Sequence, residues 1–95
     1  MKPLSQVLRK NGFNYVLIKR GQRSCIYEQL VEGKTIAYEV FIIRTVPERC
    51  INGNWIGEHE KFPSNEAFGY SAWTCRSLDR AVERFNKIEN IKDSE

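Results

Sequence analysis

Residues 24–44 read S-C-I-Y-E-Q-L-V-E-G-K-T-I-A-Y-E-V-F-I-I-R, and this stretch decides the fold. Two runs rich in branched and aromatic side chains, Ser24–Val31 and residues 35–44, flank Glu32-Gly33-Lys34. A Gly-bearing connection of that length between β-type runs signals a hairpin. In the second run Ile36, Tyr38, Val40 and Ile42 fall on one face, and Ala37, Phe41 and Ile43 fall on the other with Glu39, because side chains alternate along a strand. Apolar groups on both faces predict a central strand, covered on one side and partly covered on the other.

Upstream, Phe13–Arg20 is again aromatic and branched and is closed by Gly21-Gln22, which predicts another strand. In residues 3–10, Leu4, Val7 and Leu8 stand at helical spacing with Gly12 placed to stop the turn. That pattern predicts a short N-terminal helix in an arm over residues 1–12. Downstream, Pro47 cannot donate to a ladder and Asn52-Gly53-Asn54 is a turn signal, so residues 46–57 read as a loop or a distorted hairpin tip. A short edge strand is expected over 58–62, a turn or a single helical turn capped by Ser64 over Ser64-Asn65-Glu66, and β structure over 70–76.

Ser77 is an N-cap residue, Asp79 suits the positive end of a helix dipole, and Leu78, Ala81, Val82, Phe85 and Ile88 form an apolar stripe. A helix over 77–91 follows, with Arg76, Arg80, Glu83, Arg84, Lys87 and Glu89 in its solvated surroundings and a polar, frayed tail beyond Ile91. The stripe needs a sheet to cover. The expected fold is therefore α+β, a small antiparallel meander packed on one C-terminal amphipathic helix, as one domain over 1–95.

Ninety-five residues with 41% hydrophobic and 28% charged side chains suit one folded domain rather than a disordered chain. No window approaches the apolar length of a membrane span, and residues 1–12 lack the apolar core of a signal peptide, so a cytoplasmic protein is expected. The formal charge of +3 favours an acidic partner only weakly.

Catalysis would have to use His59, the only histidine, which is flanked by Glu58 and Glu60 with no cysteine in a nucleophile motif. Cys25, Cys50, Cys75 and His59 have the ligand types of a Cys3His zinc site, but their spacing matches no common finger or knuckle. No phosphate-cradling glycine motif is present. A non-enzymatic chain without metal or cofactor is expected, either monomeric or homodimeric.

Two binding readings remain. In the first, Trp55 anchors a protein interface in the 46–57 segment with Arg49 and Ile56, since Trp and Arg dominate many interfaces. In the second, Tyr15, Tyr27 and Tyr38 form an open stacking face ringed by Lys19, Arg20, Arg23 and Arg44, suited to single-stranded nucleic acid. The segment E-K-F-P-S-N-E-A-F-G-Y-S-A-W-T-C (60–75), the strand Y-E-V-F-I-I-R before it and the helix S-L-D-R-A-V-E-R-F after it resemble small uncharacterised proteins of phages and bacterial mobile elements. That resemblance spans residues 35–90 and implies a small accessory protein that binds host or phage machinery. It assigns no residue a role. The protein-binding reading is preferred, with nucleic acid as the alternative.

Overall fold

The computed structural model describes residues 2–64 and 69–91. Among the described residues nine strands, β1 (Val7–Lys10), β2 (Phe13–Arg20), β3 (Ser24–Val31), β4 (Lys34–Ile42), β5 (Arg44–Val46), β6 (Arg49–Ile51), β7 (Asn54–Ile56), β8 (His59–Lys61) and β9 (Ala72–Cys75), precede α1 (Leu78–Glu89). The main sheet runs β1-β2-β3-β4-β9 and every pairing is antiparallel. It is the expected meander, interrupted between β4 and β9 by an insertion that holds β5 to β8.

The N-terminal segment departs from the helix its spacing predicted. Val7–Lys10 is a strand on the β2 edge, with Lys10 opposite Phe13 across Asn11-Gly12. Both turn residues have positive φ, 55° and 83°, the geometry of the two-residue hairpin turn whose twist matches the strands it joins. Three apolar residues in so short a run cannot offset the cost of nucleating a helix. An unpaired β2 edge offers them a ladder instead.

Both faces of the sheet are covered. On one, Ile26 and Val40 pack beneath Ala81, Phe85 and Ile88 of α1. Ser77 caps that helix by accepting from the Arg80 amide at 3.3 Å, whereas Leu78, expected on the stripe, is exposed. The Glu89 carboxylate ties the far end of α1 to the β2–β3 turn, accepting from the amides of Gln22 (2.8 Å) and Arg23 (3.0 Å) and from the Ser24 hydroxyl (2.5 Å). It lies against Gly21, where any Cβ would collide with it.

On the opposite face Tyr15, Cys25, Tyr27, Phe41 and Ala72 form a second core with Leu4. Phe62 closes it, with ring centroids 4.9 Å from Tyr15, 5.3 Å from Tyr27 and 5.0 Å from Phe41. Burial pushes the Tyr27 hydroxyl and the Cys25 thiol each up to about 12. Asn65 and Glu66 of the expected turn and the tail beyond residue 91 lie outside the described residues.

Candidate binding surface

The insertion is one hairpin. Arg44 faces Lys61, Thr45 faces Glu60 and Val46 faces His59. Beyond Pro47 the same register resumes, with Arg49 opposite Ile56, Cys50 opposite Trp55 and Ile51 opposite Asn54. Pro47 lacks the amide a continuous ladder needs, so the pairing breaks there and then recovers. Asn52-Gly53, at φ 50° and 80°, makes the tip. Of the two readings of residues 46–57, the distorted hairpin tip is the one that forms, as a β-ribbon interrupted at Pro47 whose residues 47–58 are all exposed.

Its base is fixed to the body. Glu60 takes the Arg20 guanidinium through both oxygens, at 2.6 and 2.5 Å, and also accepts from the Leu4 amide at 3.0 Å. The hydrogen bond from Arg20 holds the Glu60 carboxyl below its usual value. Lys2 bonds the outer edge of β8, donating to Glu58 (3.0 Å) and accepting from Glu60 (2.9 Å). Tyr27 donates to the Ser5 carbonyl at 2.6 Å, and Lys10 donates to the Pro63 carbonyl at 2.7 Å. The radius of gyration, 14.4 Å, exceeds the roughly 12 Å expected of a compact chain this long, as a projecting ribbon requires.

The ribbon carries the three residues assigned to a protein interface, but not as one patch. Cross-strand partners share a face, so Arg49 and Ile56 lie on one side of the ribbon and Trp55 lies on the other with Cys50. Trp55 is 66% exposed. Ile51, also exposed, joins Arg49 and Ile56 on their side.

The residues assigned to nucleic acid do not converge. Tyr15 and Tyr27 are inside the second core, at 6% and 0% exposure. Tyr38 is half-buried on the opposite face, against the α1 core. The open stacking platform is thus corrected: the rings occupy two faces, and a long-range lid, Phe62, covers two of them. Among the cations, Arg20 is held by Glu60, Lys19 sits 5.2 Å over the Phe85 ring and Arg44 stands at the ribbon base beside Ser64 and Tyr70. Arg23 is anchored through its backbone to Glu89.

His59 is half-buried at the ribbon base, with Nδ1 3.0 Å from the Gly57 carbonyl. It borders a cleft of about 470 Å³ lined by Leu4, Leu8, Ile56 and Phe62. Cys25 is buried, Cys75 half-buried and Cys50 exposed on the ribbon. Among the described residues no group of three or more His, Cys, Asp or Glu side chains is placed to hold a metal ion, and no helix is long and apolar enough to cross a membrane.

One surface was overlooked in the sequence. Trp73, Thr74, Cys75 and Arg76 form one wall of a groove of about 540 Å³, and Arg80, Glu83, Arg84 and Lys87 form the other. The Arg84 guanidinium stacks over Trp73 at 4.6 Å. Burial pushes the Cys75 thiol up, while Arg84 and Arg80 oppose that shift from across the groove. The signal was the four-residue spacing of Arg76, Arg80 and Arg84 directly after a tryptophan-bearing strand.

Comparison with family models, curated proteins and solved structures finds no match for this chain.

Proposed function

We propose that this chain is a non-enzymatic binding module whose projecting ribbon docks on a protein partner, occluding or recruiting it. One observation carries the reading: an exposed tryptophan stands on a hairpin whose base is locked to the core and whose residues 47–58 are all exposed. Holding a large ring in place before binding reduces the ordering cost of association. Because apolar groups occupy both sides of the ribbon, a cleft that grips Trp55 on one side and Ile56 with Arg49 on the other is the complementary shape. The resemblance to phage and mobile-element accessory proteins supports a bacterial or phage partner and a cytoplasmic setting.

The single-stranded nucleic-acid alternative has less to draw on, since two of its three rings are inside the protein. The test is capture from bacterial lysate by wild-type and Trp55→Ala chains, each with and without nuclease, read by mass spectrometry. A protein retained after nuclease by the wild type and lost by Trp55→Ala supports the reading. Equal capture by both chains, or loss of all partners on digestion, overturns it.

A further inference from the structure

The β9–α1 groove lies on a different part of the molecule from the ribbon. β9 is the last strand of the sheet, so one of its edges has no neighbour among the described strands. The Ile42 amide donates to the Ser71 carbonyl at 2.9 Å, and the register continues as Val40 with Trp73 and Tyr38 with Cys75. In an antiparallel pair such bonded positions recur at every second residue. Trp73 and Cys75 therefore bond to β4, while the N–H and C=O of Thr74 point out along the open edge.

Helix α1 returns beside this edge. Arg84 lies over Trp73, and Arg76 and Arg80 line the same groove. Residues four apart on a helix rise about 6 Å, and alternate residues of an extended strand are about 6.6–6.8 Å apart. Arg80 and Arg84 of the helix thus match the side-chain repeat of a strand lying next to them, and Arg76, just before the Ser77 cap, lines the same groove.

We propose that the groove binds an acidic extended peptide, which adds as a further strand at the β9 edge and places alternate carboxylates on Arg76, Arg80 and Arg84. Charge complementarity selects the occupant: four cations line the groove against one carboxylate, Glu83, which itself stands 3.7 Å from Lys87. Two features favour a peptide over a nucleic-acid strand. The Thr74 edge presents a carbonyl that needs an N–H donor, which a phosphodiester backbone does not have. The Trp73 face is also occupied by a guanidinium, leaving no open ring for a base. Arg84 stacked on Trp73 keeps its planar donor fork ordered, which suits carboxylate recognition.

The experiment is fluorescence anisotropy with the whole chain and three labelled probes: a short peptide alternating Glu with Thr, the same peptide N-methylated at alternate residues, and an oligothymidylate. The acidic peptide is expected to bind saturably, N-methylation to weaken it about tenfold or more, and Arg80→Gln/Arg84→Gln to do the same in a chain whose circular dichroism shows it still folded, because each removes charge-assisted or backbone hydrogen bonds. Equal binding of the N-methylated peptide would show charge attraction without strand addition and overturn the proposal. So would binding of oligothymidylate in place of the peptide. Binding of none of the probes would leave the cations as guards against edge-to-edge pairing, and would equally overturn it.

Discussion

Two hairpins in this chain turn through the same geometry and reach opposite ends. β3 and β4 meet across Glu32-Gly33 at φ 51° and 78°, and β6 and β7 meet across Asn52-Gly53 at 50° and 80°. The first pair sits at the centre of the sheet, with Ile26, Tyr27, Val40 and Phe41 fully buried; the second projects, with every residue of both strands exposed. Turn chemistry makes a hairpin, and what lies on its two faces decides whether it is core or projection. In residues 24–42 both faces carry apolar side chains that α1 and Phe62 cover, whereas in residues 49–56 Trp55 stays 66% exposed and Ile56 only borders the cleft of Leu4 and Leu8.

The largest expected effect tests the covered hairpin. Phe85→Ala removes the ring that α1 sets against Ile26 and Val40 and should cost about 3–5 kcal/mol in denaturant unfolding. A loss under about 1 kcal/mol would mean that α1 contributes little to the sheet.

The joint between the two regions comes next. Glu60→Ala removes both bonds to Arg20 and the acceptor for the Leu4 amide. Arg20 is 37% exposed, so solvent screens the pair, and a loss of about 1–2 kcal/mol is expected. Proteolysis should then accelerate at the ribbon base. Unchanged stability and unchanged cleavage would show the ribbon to be independent of the body.

Acid should act on the same joint. Burial pushes the Glu89 carboxyl up, but hydrogen bonds from Ser24, Arg23 and Gln22 outweigh it, and Glu89 titrates below its usual value, as Glu60 does. The unfolded chain then binds protons more readily than the folded one, so the stability these groups add is present above the unfolded carboxylate pKa of about 4.3 and is lost as pH falls through the lower folded values. Glu39 behaves oppositely. Burial at 4% exposure raises its pKa against the hydrogen bond from Thr74, so its contribution is greatest in acid and declines as pH rises through the raised value. Glu39→Gln should raise the melting temperature slightly at neutral pH, and Glu60→Gln should flatten the acid limb of a stability profile between pH 3 and 8. An unchanged acid limb would remove Glu60 from the linkage.

The parts of the fold that were legible in the sequence are those with local causes. The 24–44 hairpin, the meander and the capped helix follow from alternation, glycine punctuation and the Ser77 cap. The N-terminal strand was misread because Leu4, Val7 and Leu8 fit a helical period, while the deciding fact, an open β2 edge across Asn11-Gly12, lies outside that window. The buried tyrosines were misread for a similar reason. Nothing near Tyr15 or Tyr27 in sequence announces that Phe62 will close over them. Trp55 was legible as a candidate because its neighbours lack the apolar alternation that would bury it, but the division of Trp55 from Arg49 and Ile56 between two sides of a ribbon needed the register.

The smallest expected effect compares the two hairpins directly. Gly33 and Gly53 share positive φ, and a Cβ at either would meet nothing within 4 Å. Alanine at each position therefore incurs the same backbone strain, about 1 kcal/mol. At Gly33 that strain enters a turn whose strands unfold with the core, so the whole cost should appear in global stability. At Gly53 the tip can fray while the core, Phe62 and Glu60 stay in place, so the melting temperature should hardly move and the change should appear instead as faster amide exchange at residues 50–55. Equal losses of global stability in Gly33→Ala and Gly53→Ala would show that the projecting tip folds as one cooperative unit with the sheet, and that its exposed Trp55 stands on a scaffold as rigid as the core itself.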